Sequence, residues 1–259
     1  MNILVCGILG HMGREVEKLC LSGYRGATLA GGVDYFATDA TPGVYKSFDA
    51  VKSPESIDCI VDFSHHSITP DLLEFAKTHS LPVVLSTTGH TDDELAIIND
   101  ASEYIPIFHS GNMSLGVALL CELAKTVART MPEAEIEIIE KHHNRKIDAP
   151  SGTALMLANA IKEARPDTYQ KVGRSGHGKR EFSEIGIHSI RMGNIVGVHE
   201  VIVTTGNQTI TLKHEAHDRA LFAEGGLCAA EFLVTAESGL YDMKSIVSGE
   251  KTCAPEIIG

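Results

Sequence analysis

No apolar stretch of this chain reaches the roughly 20 residues needed to cross a bilayer, so no membrane span is expected. No basic lead or cleavage site precedes the opening Asn2-Ile-Leu-Val-Cys6, so a secretory signal is not expected. The six cysteines, at 6, 20, 59, 121, 228 and 253, include no C-x-x-C pair and no zinc spacing. In apolar surroundings such thiols serve as small core residues, and reduced thiols fit a cytoplasmic location. Positive charge is in deficit: 22 Lys and Arg stand against 34 Asp and Glu, for a net charge of -12. That balance argues against a nucleic-acid or anionic-membrane partner. An anionic substrate would need a local positive field. Internal repeats and low-complexity linkers are also missing. What remains is a 259-residue chain, 43% hydrophobic and 22% charged, with the composition of a globular protein. It is long enough for one large domain or two modest ones.

The first half alternates short apolar runs with amphipathic stretches. Strands are expected at Ile3–Cys6, Thr28–Val33, Ile57–Phe63, Pro82–Ser86 and Ile105–His109, with helices over Arg14–Leu21, Pro70–Thr78 and Asp92–Ser102. Strands alternating with helices indicate βαβ units and a mostly parallel, doubly wound α/β sheet of Rossmann type. The pattern changes after Asn112. A helix over Leu115–Arg129 leads to a strand at Ile136–Ile139 and a helix at Ala154–Ile161. Strand-like runs follow at Ile185–Arg191, Ile195–Thr204 and Gln208–Lys213, joined by Met192-Gly193-Asn194 and Thr205-Gly206-Asn207. Closely spaced strands with short turns read as an antiparallel or mixed sheet in an α+β domain. A helix over Leu221–Ala236 closes the pattern. The expected domains are 1–113 plus 222–259 for a dinucleotide and 114–221 for substrate and oligomerisation. An open sheet with helices on one face needs a second layer, which a partner subunit can supply.

Gly7-Ile8-Leu9-Gly10-His11-Met12-Gly13 follows the first strand and opens the first helix. Glycines there let a pyrophosphate approach the backbone at a helix N-terminus. The spacing is G-x-x-G-x-x-G, because position 8 is Ile. Asp34 ends the second strand, near the ~20-residue separation expected of an acid that binds the adenosine ribose. A carboxylate favours the free ribose hydroxyl and repels a ribose phosphate, and Tyr35 and Phe36 supply no arginine. NADH is therefore expected to serve at least as well as NADPH. Ser86-Thr87-Thr88-Gly89 and Ser110-Gly111-Asn112-Met113 follow the fourth and fifth strands, where ligands of such sheets bind. Each also reads as ordinary turn chemistry.

The densest chemistry lies in Glu140–Ala154, EKHHNRKIDAPSGTA, between a strand and a helix. Ser151-Gly152-Thr153 stands where the helix should begin, a natural cradle for a carboxylate or phosphate. His142, His143, Arg145 and Lys146 lie just before it. So many cations make sense if an anionic ligand neutralises them. Two adjacent histidines on a strand point to opposite faces and chelate one ion poorly with Asp148, so no metal is expected. Of the other histidines among 13 in total, His65-His66 reads as a loop that could touch cofactor, and His177, His188, His199, His214 and His217 have no partner that the sequence identifies.

The segment E-x-H-H-x-x-K-x-D-A-P-S-G-T-A resembles the signature of the 4-hydroxy-tetrahydrodipicolinate reductase (dihydrodipicolinate reductase) family. The likeness extends through Gly7–Gly13, Thr87-Thr88-Gly89, Asn112-Met-Ser-Leu-Gly116, the glycine-rich Arg174–Arg180, Ile185-Gly-x-x-x-x-Arg191, Ile195-Val-Gly197 and Glu237-Ser-Gly-Leu-Tyr-Asp242. It implies reduction of a cyclic imine carrying two carboxylates to tetrahydrodipicolinate with NADH or NADPH, in diaminopimelate and lysine biosynthesis. It also implies a cytoplasmic homotetramer, with the C-terminal helix returning to the first domain. By resemblance His142 and Lys146 are proton donors, and His143, Gly152 and Thr153 contact substrate; Ser151, at the same helix start, is expected to bind substrate with them. Gly7 to Met12, Asp34, Ser86 to Thr88 and Ser110 to Met113 contact cofactor. Tyr35 departs from a frequent arginine, Ser86 from a glycine, Ser110-Gly111 from an alanine pair, and Met192 and Asn194 from a glycine and an aspartate. A different nicotinamide-dependent reductase of this fold, or a non-catalytic dinucleotide sensor, are the competing readings.

Overall fold

The computed structural model describes residues 1–38 and 40–249, so Cys253 and the last ten positions of the expected 222–259 segment lie outside the described residues. The chain forms two compact units, one of Met1–Ser114 with the segment from Ala220 onward and the other of Leu115–Arg219. Among the described residues no helix is long and apolar enough to cross a membrane.

The first unit opens with β1 (Asn2–Cys6), α1 (His11–Leu21), β2 (Thr28–Val33) and β3 (Val44–Tyr45). It continues with β4 (Cys59–Asp62), α2 (Thr69–His79), β5 (Val83–Leu85), α3 (Asp92–Ser102) and β6 (Pro106–His109). The strands are short continuous apolar runs because both sheet faces are covered. Ile3, Leu4, Val5 and Cys6 are all buried. Thr91 and Glu94 close a reciprocal capping box that fixes the start of α3.

The second unit holds α4 (Leu115–Thr130), β7 (Glu135–His142), α5 (Gly152–Ala164), β8 (Tyr169–Val172), β9 (Glu184–Arg191), β10 (Gly197–Thr204) and β11 (Thr209–Ala216). Its five-stranded sheet is mixed, in the order β11-β10-β7-β9-β8. The sequence reading of three successive antiparallel strands holds for β10 and β11, which pair antiparallel across the 205–207 turn. It fails for β9. That strand runs parallel to β7, which lies between it and β10. The apolar alternation of β7 explains this, since Ile136 and Ile138 are both buried and claim the centre of the sheet. The 192–194 turn therefore does not close a hairpin. Met192 N–H donates to the His142 carbonyl and Asn144 N–H to the Gly193 carbonyl, lacing the turn along the end of β7. That strand also runs past Ile139 to His142, because buried Glu140 and His142 continue its alternation as polar residues. Helices α4 and α5 form one core with Ile136, Ile138, Ile185, Ile187, Val201 and Val203.

The chain then returns to the first unit with α6 (Ala220–Leu233), β12 (Gly239–Tyr241) and α7 (Met243–Ser248). The short β12 joins the edge of the first sheet parallel to β6. Seven parallel strands result, in the order β12-β6-β5-β4-β1-β2-β3. The order reverses between β1 and β4. Ligands of such sheets bind at this switch point, beyond the carboxyl ends of the strands. Helices α2 and α3 bury Leu72, Leu73, Ala76, Ile98 and Ala101 in one core with Leu4, Ile60, Leu85 and Ile107.

Candidate functional site

The glycine loop is shaped by contacts that no side chain could tolerate. Gly7 has φ +74°, and a Cβ there would lie 2.8 Å from the Phe63 carbonyl oxygen. The loops after β1 and β4 thus touch at the switch point. A Cβ on Gly13 would come 2.1 Å from the Gly7 carbonyl oxygen and 2.6 Å from Ile8 Cα, so α1 starts hard against its own loop. Ile8, which breaks the common glycine spacing, is buried, and its side chain occupies the space that Gly32 of β2 leaves vacant. Gly10 caps α1, which His11 and Met12 open. Asp34 is tied to this loop: Leu9 N–H donates to Oδ2 and Phe36 N–H to Oδ1, both at 3.0 Å.

A cavity of about 870 Å³ opens here, lined by Gly7, Leu9, Gly10, Asp34, Tyr35 and Phe36 among others. Tyr35 and Phe36 are exposed at its wall in an edge-to-face pair. Lys46 also lines it, with Nζ 5.7 Å from the Tyr35 ring centre, and so does His65. Sequence reading searched positions 35 and 36 for a cation and missed Lys46, which arrives from the far side through the β2–β3 pairing.

Beyond β4, a buried carboxylate sets the next loop. Asp62 is fully buried, accepts from Thr87 Oγ1 at 2.6 Å, and also binds the Ser64 hydroxyl and N–H. Burial raises its pKa, against the hydrogen bonds that lower it. The Thr87 side chain is therefore committed to the protein, leaving backbone as its means of touching a ligand. Thr88 is exposed beside it. Ser86 Oγ is buried without a hydrogen-bond partner. After β6, Ser110 Oγ donates to the Asn112 carbonyl, and Ser114 N–H donates to Asn112 Oδ1. Gly111 is exposed, while Met113 is buried with its carbonyl against Gly225, where a Cβ would sit 1.6 Å away.

In the second unit, the polar segment is organised by Glu140, a residue of the signature to which no role was given. Its side chain is wholly buried. Oε1 accepts from Arg191 Nη2 at 2.7 Å and from Ser151 N–H at 3.1 Å. Oε2 accepts from Arg191 Nη1 at 2.8 Å and lies 2.6 Å from His142 Nδ1. Burial pushes the carboxyl up, but hydrogen bonds from Arg191, Ser189, His142 and Ser151 outweigh it and hold the pKa at about 2. Because an ionised carboxylate only accepts, His142 Nδ1 carries the proton. Burial holds His142 below the ordinary histidine value, against the pull of Glu140 and with the help of Lys146 and Arg191.

Around this pair stand the other expected residues. Lys146 Nζ lies 2.8 Å from Asp148 Oδ1, so this cation is already balanced from within, which narrows the inference that an anionic ligand neutralises the cluster. Arg145 donates to Asn194 Oδ1 at 2.9 Å, fixing the turn after β9. His143 Nδ1 is buried without a partner, and burial, then Arg145 and Arg219, keep its pKa below the ordinary value. Gly152 opens α5, and a Cβ there would meet nothing within 4 Å. Ser151, expected to touch substrate, has its side chain turned inward. It is 2% exposed, and its hydroxyl caps Ala154 N–H and meets His199 Nε2 at 3.1 Å. Its groups are spent on shaping the turn, and the open space at this helix start lies at Gly152.

His199 was given no partner from sequence, yet it packs edge-on to His142 with ring centres 5.1 Å apart. Burial depresses its pKa to about 4, with His142 adding to the effect. His188 meets Glu137 Oε2 at 2.9 Å, and His66 is paired with Glu94. A strand-by-strand alternation of β10 could have flagged His199 as inward-facing. Nothing in the sequence could have chosen Arg191 as the partner of Glu140.

Comparison with known proteins places both units. The family model described as "Dihydrodipicolinate reductase, N-terminus" matches residues 1–113, and that described as "Dihydrodipicolinate reductase, C-terminus" matches 116–247. A 4-hydroxy-tetrahydrodipicolinate reductase of Clostridium novyi is 40% identical over 252 residues, 96% of this chain and 99% of the relative. One from Caldanaerobacter subterraneus is 42% identical over 249 residues, 95% of this chain and 98% of the relative. Among solved structures, a dipicolinate-bound dihydrodipicolinate reductase from Paenisporosarcina has the same fold, with a TM-score of 0.80, 22% identity and coverage of 95% of this chain and 99% of that one. The chain belongs to the dihydrodipicolinate reductase family.

Proposed function

We propose that the protein reduces 4-hydroxy-tetrahydrodipicolinate to tetrahydrodipicolinate with a nicotinamide dinucleotide, in diaminopimelate and lysine biosynthesis. The observation that carries this reading is the buried Glu140–His142 pair beside the open turn at Gly152. A carboxylate-held imidazole next to a helix start can deliver a proton while an anion is held. The relatives' names give the reaction in which that combination is needed.

His142 is the proton donor, acting through Nε2, since Nδ1 stays bonded to Glu140. Loss of the 4-hydroxyl as water would give the conjugated imine; a hydride added at the carbon that carried it would leave electron density on the neighbouring carbon, and the proton from Nε2 discharges it. Water then restores His142. A bound dianion raises the His142 pKa toward neutrality, offsetting the burial that lowers it. Lys146 supplies the second proton or a fixed positive charge. His143, Gly152 and Thr153 bind the carboxylates, and Ser151 holds their turn.

The first unit fits the cofactor. The cavity beside the glycine loop and the unpartnered Ser86 Oγ suit a large polar group. Gly7, Ile8, Leu9, Gly10, His11 and Met12 would line the pyrophosphate and Asp34 the ribose. Ser86, Thr87 and Thr88 with Ser110, Gly111, Asn112 and Met113 would flank the nicotinamide, which supplies the hydride when bound. We assign NADH use at least equal to that of NADPH. We also assign a cytoplasmic homotetramer, in which a second subunit covers the half-buried face of the mixed sheet. Light scattering at micromolar concentration should give four times the chain mass, and a monomer would reject it. The deciding assay for the reaction is loss of NADH absorbance when the product of the preceding aldol condensation is supplied. Absence of turnover with either NADH or NADPH would remove the reading.

A further inference from the structure

We infer that Glu140, clamped by Arg191, is the positioning residue that fixes the tautomer and aim of His142 and, through Ser151, couples that aim to the anion-binding turn; this rests on His142 being the proton donor. The carboxylate joins three separate parts of the second unit. It grows from β7, is gripped by both terminal nitrogens of Arg191 from β9, and receives the N–H of Ser151 at the start of α5. Arg191 Nη2 also donates to the Asp148 carbonyl at 2.6 Å, tying down the loop that carries Lys146.

A two-point guanidinium fork leaves the carboxylate little freedom to rotate. The 2.6 Å approach to His142 Nδ1 then fixes the ring. Nε2 is turned toward Gly197 of β10, where a Cβ would come within 3.2 Å of it. The missing side chain keeps that nitrogen's surroundings open. The charged and titratable groups facing His142 are Glu140 on its own strand, Arg191 from β9, His199 from β10, and Lys146 from the following loop. Glu140 is the one anion of that set. A buried ion pair is a weak source of stability by itself, since desolvation cancels most of its attraction. Its placement is instead that of an orienting acid behind a proton-transferring histidine.

The experiment has two arms. In the wild-type protein labelled with 15N at histidine, the neutral His142 ring should be protonated at Nδ1, and a dominant Nε2–H form overturns the inference whatever the activity. In the second arm, kcat is followed against pH. Glu140→Gln keeps the shape and removes the charge, so the alkaline limb should move to lower pH by about one unit, a tenfold loss above the limb. Arg191→Met leaves Glu140 uncompensated, and the limb should move to higher pH. Limbs that stay in place in both folded variants overturn the inference, because a merely structural contact lowers melting temperature without moving them. If neither variant folds, the labelled wild type decides. A His142→Gln variant that keeps its turnover would remove the donor role, whereas the tautomer result reports on Glu140 alone.

Discussion

The two units build their candidate sites from opposite materials. In the first, the site is mostly backbone: Gly7, Gly10 and Gly13 let main chain approach main chain, and Asp34 and Asp62 serve to hold loops. In the second, the site is charge, with Glu140, Arg191, His142, Lys146 and Asp148 linked through side chains from two strands and a loop. A backbone cradle suits a ligand that must be held the same way in every turnover. A side-chain network suits a proton that must move, because each bond in it shifts the pKa of the next. Losses in the first unit should therefore fall on cofactor affinity, and losses in the side-chain network of the second on turnover.

The sharpest break in that contrast comes from the second unit. His142→Gln should lower kcat by about 10²-fold or more, the range for losing a general acid. The alkaline limb that reports His142 deprotonation should vanish with it. NADH affinity, read by fluorescence titration, should stay within about twofold. A parallel loss of affinity would erase the division between the units, and near-normal turnover would remove His142 from the chemistry.

Gly13→Ala tests the other side. The added methyl would meet the Gly7 carbonyl oxygen and Ile8 Cα, both main-chain atoms, so the loop itself must move. We expect the Kd for NADH to rise about tenfold, or roughly 1.4 kcal/mol, while the pH limb of kcat stays in place. Gly152→Ala makes the useful contrast, since its methyl would enter open space. There the melting temperature should hold while the KM for the dicarboxylate rises. An unchanged NADH affinity in Gly13→Ala would show that the glycine spacing is a turn and nothing more.

This division also explains what the sequence could and could not reveal. A backbone cradle is written as spacing, so Gly7–Gly13 could be read in order along one strand, one turn and one helix, with Asp34 at the end of the next strand. The signature from His142 to Thr153 was readable for the same reason, being contiguous. Partners across strands were not readable. Arg191 lies 51 positions from Glu140 and reaches it because β9 pairs parallel with β7, whereas short turns had suggested a hairpin with β10. His199 was hidden by the same error of neighbourhood, since β10 borders β7 directly. The inward cap made by Ser151 was not readable, because a helix-start serine can cap inward or face a ligand, and only burial separates the two.

The smallest expected effect concerns cofactor choice, where the two kinds of material meet in one cavity. Asp34 argues against a ribose phosphate, but both its oxygens already accept from backbone N–H groups, which blunts its field. Lys46 stands on the same cavity wall with an exposed ammonium, the kind of group that a ribose phosphate would seek. An exposed charge pair of this kind contributes about 0.2 to 1 kcal/mol, too little to reverse a preference but enough to moderate one. Lys46→Ala should therefore raise the KM for NADPH about threefold and leave that for NADH nearly unchanged, with the difference shrinking as salt is added. Equal effects on both cofactors would mean that Lys46 acts through Tyr35 on the adenine end rather than on the phosphate. A preference for NADPH of tenfold or more in the unaltered protein would show instead that Asp34 does not set cofactor choice at all.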